Sequence, residues 1–507
     1  IVMPDTSEIQ PVVVSLGGGL ILDRDDLSLP PGAAITLQNF EPSVQGGYRR
    51  LSGTSKWNSN QVNGSEKILG LQIFNNGVVA AAGNVVTFAT SGSTYSTIGT
   101  RTSAGRYKFD LYNFNNTDKL IMVDDVNQAA SYDGTTYTLI NTTGAPADPA
   151  SVAVFQNHMF FAGMSSNPQE VLFSAPFAET DFTAANGAGS IRVPTSVVAL
   201  KVFRDILYVF GQDKIFKITG TSIADFRVDS VTQTLGCADG FSVQELGGDL
   251  LFLSLDGLRT IAGTERIGDV ELGTVSKPIQ RRITDVISST DNITSAIVRA
   301  KSQYRLFYPS NGGSVDSSQG ILATLKRNFQ TGQIGFEFAD IRGIKPSAMS
   351  SGFINGNEVI LEGGYDGYVR KQESTSTFDG TNIIAVYRSP DLALGDAGLR
   401  KLMQRVVLNY EVEGTIEAKL RVRYDADSQD VAQPTEFDLS SPGGIAQYGG
   451  TTSTYASAVY GSSGNPVFRQ SVEGSGFLVA VRVNHDSSNS PFTLHSYQLE
   501  FTPGGRM

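Results

Sequence analysis

One cysteine, three histidines and one tryptophan in 507 residues leave little for the common chemistries. A lone Cys237 excludes any intrachain disulfide, so the chain needs no oxidising compartment, and a small buried hydrophobe is its expected role. His158, His485 and His495 stand far apart, and none forms an HxxxH or CxxH pair. There is no G-x-S-x-G elbow, no phosphate-binding Walker loop and no dinucleotide-binding glycine fingerprint. No uninterrupted apolar run approaches the roughly 18 residues of a membrane span. The stretch "IVMPDTSEIQ" lacks the basic and apolar regions of a signal peptide, and Met3 is a candidate start. Positive charge is also short: the net charge is -11, which argues against a broad basic surface for nucleic acid and favours protein partners.

What is abundant is glycine, 54 residues of it, with Asn, Asp and Ser between short apolar runs. "ILGLQIFNNGVVAAAGNVVTFAT" from 68 is the clearest run, followed by similar ones from 107, 151, 196 and 241, and weaker ones from 293 and 347. Each reads as strand, tight turn, strand. "NNG", "NNT", "QN", "RD", "GG" and "NGN" fall at the same place in successive copies, and these are residues that tolerate positive φ. The repeat, about 40 to 55 residues, is the length of a propeller blade. An all-β fold is expected: a β-propeller of six or seven blades over 61–384, then a C-terminal β-sandwich over 385–507, with an extended N-terminal arm over 1–60. A sandwich or solenoid without circular closure is the alternative.

In the sandwich region, Ile416, Ala418, Leu420, Val422 and Tyr424 alternate with Glu417, Lys419, Arg421 and Arg423, as in a half-buried strand. Phe477, Val479, Val481 and Val483 repeat the pattern, as do Tyr497, Leu499 and Phe501. The Gly/Ser/Thr-rich stretch at 440–466 reads as a long loop, and "GDAGLRKLMQRV" reads as two turns of helix.

Candidate sites are few. Asp124–Asp125 and Asp23, Asp25 and Asp26 are carboxylate pairs, but adjacency in sequence does not set the separation that glycoside chemistry needs. Asp425, Asp427 and Glu436 match three positions of a calcium loop, yet Asp430 stands where Gly is required. Arg400, Lys401 and Arg405, with Lys419, Arg421 and Arg423, form either a docking patch or a solvated strand face. Trp57 reads as an anchor onto the first blade. No catalytic, cofactor-binding or metal residue is assigned, and the chain reads as a non-enzyme that works through its surfaces.

Near the N-terminus stands "GGLILDRDDLSLPPGAAITLQNFEPSVQGGYRRLSGTSKW". Its Gly17–Gly19, Leu29–Gly32, Asn39–Pro42 and Gly46–Arg50 resemble the opening signature of tail proteins of tailed bacteriophages. "GDAGLRKLMQRVVLNYEVEGTIEAKLRVRYD" and "PFTLHSYQLEFTPGGRM" resemble the closing domain of the same proteins. The nearest members are the tail nozzle, or packaged-DNA stabilisation, proteins of short-tailed phages. The resemblance implies a virion protein assembled in the bacterial host cytoplasm. It implies a homo-oligomeric ring, a hexamer, below the portal and adaptor proteins, with genomic DNA passing through the ring's channel without sequence-specific contact and no membrane insertion. Tail fibres are a further implied partner, although the inserted domains of larger nozzles are missing. On this reading the arm, with Pro30, Pro31 and Pro42, lies across a neighbouring subunit. A receptor- or glycan-binding propeller at the tail tip is the alternative.

Overall fold

The computed structural model describes residues 9–262, 274–288, 292–308, 319–327, 334–440 and 467–506. The fold is all-β, a propeller joined to a C-terminal pair of packed sheets. Seven segments line the propeller axis. Six of these sectors are sheets of their own. Four are the four-stranded antiparallel sheets that begin with Ile68–Phe74, Lys108–Phe114, Ser151–Phe155 and Val197–Phe203. Next comes a three-stranded sheet, Gln244–Leu246, Asp249–Ser254 and Gly257–Thr260. The last, Ala348–Ile354, Asn357–Gly363 and Val369–Thr375, takes its fourth strand, Gly53–Lys56, from near the N-terminus. The remaining sector, from Thr294–Val298 to Ile334–Arg342, is the first half of a nine-stranded sheet. We number the sectors 1 to 7 in the order their innermost strands occur along the chain.

The turns decide why these segments become hairpins. Asn75–Asn76, Asn115–Asn116, Gln156–Asn157, Arg204–Asp205, Gly247–Gly248 and Asn355–Gly356 all have both central residues at positive φ. Such turns twist with the strands they join, and Asn, Asp and Gly accept that conformation most readily. Between the blades lie separate apolar layers. Phe74, Val79 and Met122 share one, Phe114, Ile121 and Phe161 the next, and Phe160, Leu207 and Val209 the one after. Each blade thus buries both faces against its neighbours.

The nine-stranded sheet carries the fold out of the propeller. After Ile334–Arg342 comes Thr36–Gln38, which pairs in parallel with it and antiparallel with Ile383–Arg388. Val479–Ser487, Glu417–Tyr424 and Phe437–Ser440 complete the sheet. A second sheet is built on Leu399–Val412 and Phe492–Arg506, with Gln10–Ser15 and the hairpin Phe40–Pro42/Tyr48–Arg50 added at its edges. Val406, Leu408 and Tyr410 from one sheet share a core with Leu420, Val422 and Val481 from the other. The alternation expected for 416–424 and for Tyr497, Leu499 and Phe501 is what packs there.

Two expectations meet a different arrangement. The stretch expected to be a helix is a strand, Leu399–Val412, because pairing along most of its length with Phe492–Arg506 outweighs a local propensity worth only tenths of a kcal/mol per residue. An α-helix lies instead at Gln280–Ile287, packing Ile283 and Val286 inward. The N-terminal stretch, expected as an extended arm, is the other. From Gln10 to Lys56 it is woven into three sheets of its own chain. The stretch at 441–466 lies outside the described residues.

Candidate functional site: the motif junction and the propeller axis

The residues of the N-terminal signature meet at one place, where sector 6, sector 7 and the C-terminal sheets join. Glu41 is buried at its centre. Its carboxylate accepts from Lys301 at 2.7 Å, from Arg49 at 3.0 Å and from Gln303 at 2.9 Å, with Arg305 at 3.5 Å. Glu373, held at φ +57 where a register shift interrupts the strand, turns its carboxylate to Lys301 at 2.6 Å and to Arg305. Burial opposes the ionised form of Glu373, but Arg305 and Lys301 hold the carboxyl down at about 2. Arg49 reaches on to Glu413 with two hydrogen bonds, at 2.5 and 2.8 Å. A buried charge cluster is tolerable only when every member is paired, and here the pairs tie four parts of the chain together.

The other signature residues serve the same junction. Asn39, at φ +53, accepts from the Arg342 amide and donates to the Arg342 and Ile384 carbonyls, each at 2.9 Å. Arg50 is fully buried and donates to the carbonyls of Leu51, Ser376 and Asn489. Burial lowers Arg50 to about 10, aided by Arg49 beside it. The Tyr48 hydroxyl donates to the Gly32 carbonyl at 2.8 Å and accepts from the Gly19 amide at 3.1 Å. Gly47, at φ +79, has the Leu494 carbonyl where a Cβ would stand. The prolines of "LPPGAA" form a turn closed by Ala33 N–H donating to Pro30 at 3.0 Å, and the Pro31 carbonyl accepts from the Tyr497 hydroxyl.

The axis is the second place where charge collects. It holds a cavity of about 350 Å³ lined by the first halves of the innermost strands. Arg106, Lys108, Lys201 and Arg299 face it with a single carboxylate, Asp110. Arg106 and Lys108 leave sector 2 and cross to the far side. Arg106 donates to the Ile293 carbonyl at 2.7 Å and Lys108 to the Val198 carbonyl at 2.9 Å. Both lie over the Phe241 ring, at 3.8 and 4.9 Å from its centroid. Gly240 suits this position, since a Cβ would stand 2.6 Å from the Val198 carbonyl oxygen. Outside the cavity lining, Lys67 and Lys345 sit 4.8 and 4.9 Å from the Tyr365 ring centroid, and Lys67 donates to Asn292 Oδ1 at 2.8 Å. Burial lowers Lys67, and the like charges of Arg106 and Lys345 lower it further. Burial also lowers Arg106 and Lys108, partly offset by Asp239. Asp239 itself is raised by burial and accepts from the Phe241 amide at 2.6 Å.

The remaining candidates are spent on structure. His158 is buried with Nδ1 2.6 Å from the Ser174 carbonyl. His485 is buried between the Ile383 carbonyl and Ser487 and is lowered to about 4, by burial first and Arg50 second. His495 pairs with Glu411 at 3.4 Å. Cys237 is buried, and burial pushes its thiol up to about 12. Asp124 sits with Arg101 at 3.7 Å and accepts from Asn127. Asp23 caps the start of Gln280–Ile287. Asp425 accepts from the Phe477 and Leu478 amides, and Asp427 pairs with Arg421 and Arg423. Among the described residues, no three metal-ligating side chains stand together.

The basic residues read as either a docking patch or a solvated strand face are divided. Lys401 is buried and donates to the Asp396 and Phe477 carbonyls, while Arg405 pairs with Glu500. Trp57 packs beside Tyr95 against the layer between sectors 7 and 1. The axial cluster was missed in sequence because its members are scattered over different repeats. The signal was there in Lys67, Arg106, Lys108 and Lys345, each just before or at the start of an innermost strand.

No protein-family model and no curated protein matches this chain. Solved structures resemble it at low identity. The computationally designed Ika8 protein aligns over 63% of this chain and 99% of its own, at 11% identity and a TM-score of 0.35. Sqt1 of Saccharomyces cerevisiae covers 64% of this chain and 99% of its own, at 11% identity and 0.40. The extracellular domain of a putative hybrid two component system from B. thetaiotaomicron covers 64% of this chain and 40% of its own, at 10% identity and 0.40.

Proposed function

We propose that this chain is a structural virion protein of a short-tailed phage, a subunit of the tail nozzle ring that prolongs and closes the DNA-ejection channel. The observation that carries this reading is the junction. The two stretches that resemble nozzle proteins lie at opposite ends of the sequence, yet Tyr48–Arg50 of the first pairs with Phe492–Arg506 of the second. Four of the signature residues, Asn39, Glu41, Arg49 and Arg50, bind that unit to the propeller. A signature spent on holding a propeller to a second domain suits a subunit whose task is mechanical. The ring is a homohexamer docked on adaptor proteins, and it performs no catalysis.

Gln10–Lys56 is engaged in sheets of its own chain, so we place the ring contacts on the outer faces of the blades and the C-terminal sheets. The test is made on purified virions of the phage that encodes this chain. Antibody labelling should place it at the distal tail, and particles made without it should fill with DNA and then lose it. Virions that lack the chain, or turnover of a host polysaccharide abolished by one Asp or Glu substitution, would overturn the proposal. A second reading, a receptor- or glycan-binding propeller at the tail tip, is favoured by the polar axial cavity. Labelling at the tip together with a positive glycan array would select it.

A further inference from the structure

We propose that the propeller axis is a binding site for an oxyanion, the phosphate or carboxylate group of a small ligand, held by Arg106 and Lys108 in the cavity wall and supported by the charges of Lys67 and Lys345 next to Arg106. The site is built. Two aromatic rings, Phe241 and Tyr365, each carry two of these cations within 5 Å of the ring centroid. The cations come from sectors 1, 2 and 7 and the segments leading into them, so only the closed propeller brings them together.

Charge balance points to the class of ligand. The chain carries a net charge of -11, yet four of the five charged residues lining the cavity are cationic. Asp239 and Asp125 face Arg106 and Lys108. Burial raises both carboxyls. Lys67 meets like charge from Arg106 and Lys345, with Asn292 Oδ1 as its hydrogen-bond acceptor. The Arg106 Nε is buried with no hydrogen-bond partner. Unpaired buried donors and crowded like charges are costly, and one anion among them relieves both costs.

Size and access agree. A cavity of about 350 Å³ is at the lower end for small-molecule sites, roughly ten waters by volume. Further along the axis, Lys201, Gln72, Gln244 and Ser350 offer polar groups to the rest of a ligand. A folded nucleic acid does not fit such a space. The proposal stands apart from the nozzle reading, since it concerns one subunit and needs no ring.

The experiment is calorimetric titration of the full-length protein with inorganic phosphate and with galacturonate, against chloride at matched ionic strength and neutral galactose. The expected result is saturable binding of at least one anion, with no binding of galactose. Lys67→Gln, at a half-buried position, should weaken it about tenfold, Arg106→Gln at least as much, and Lys67→Arg should restore it. Phosphate binding alone identifies a phosphorylated ligand, galacturonate alone a sugar acid, and both an unspecialised oxyanion site. Absence of saturable binding by either, or affinity unchanged in a folded Lys67→Gln protein, overturns the proposal.

Discussion

Sectors 1 to 4 and the motif junction are both β-structure, but they are held in opposite ways. In the blades, each strand pairs with the one next to it in sequence through a short turn. At the junction, Thr36–Gln38 pairs with residues some three hundred positions away, and Gln10–Ser15 with residues nearly five hundred away. The blades are stabilised by apolar layers, the junction by buried ion pairs around Glu41. Local pairing makes a blade tolerant of damage elsewhere, whereas a charge network shared by four segments fails as a unit.

The largest expected effect breaks the junction. Glu41→Gln leaves Lys301, Arg49 and Arg305 without their common partner, and removing one member of a buried pair costs about 3 to 5 kcal/mol. Denaturant unfolding should register that loss. Hydrogen exchange should rise together at 36–50, 299–308 and 369–375 while Ile206–Gly211 keeps its protection. A loss under about 1 kcal/mol would show that the network does not hold the segments together.

A pH effect of about 2 kcal/mol follows at His485. Its imidazole titrates near 4 in the folded chain, against about 6.5 when unfolded. Below pH 6.5 the unfolded chain therefore binds a proton that the folded chain refuses, and stability falls as pH drops toward 4. At pH 5 the gap is about 1.5 pH units, or about 2 kcal/mol. Glu362, raised to about 7 by burial, has the opposite sign: its contribution is present at low pH and lost as pH rises toward 7. It cancels when the wild type is compared with His485→Gln. The variant should lose about 2 kcal/mol less between pH 7 and pH 5, and equal losses would contradict the assignment.

The smallest effect tests the blades. Asn116, at φ +60 on an exposed turn, should tolerate Gly, while Asn116→Val should cost about 1 to 2 kcal/mol. The damage should stay within sector 2. Exchange that also rises at the junction would mean that blades and junction unfold as one body.

That contrast also explains what could be read in the sequence. The blades were legible because their information is local: paired Asn, Asp and Gly turns between apolar runs mark each hairpin. Sector 6 was harder, since its sheet continues into the sandwich and its repeat is stretched. Leu399–Val412 was misread because its charged and apolar residues also satisfy a helical period, and only its partner Phe492–Arg506 selects the strand. The role of Glu41 was invisible because Arg305 and Glu373 are brought to it by folding. The signature itself was legible as a resemblance, but the prolines suggested an extended arm, where Pro30 and Pro31 stand in an exposed turn and Pro42 is buried in a strand.

The strand Gly53–Lys56 closes sector 7 only after Val369–Thr375 exists. Between the two lie more than three hundred residues, which a ribosome adding about 5 to 20 residues per second delivers in roughly 16 to 60 seconds. For that interval the N-terminal strands are on hand without their sheets, and sectors 1 to 4 form an open arc. Gln10–Ser15 waits longer still, for Phe492–Arg506. Synthesis thus runs as a clock with its fastening step last, and a subunit whose translation is cut short remains unfastened.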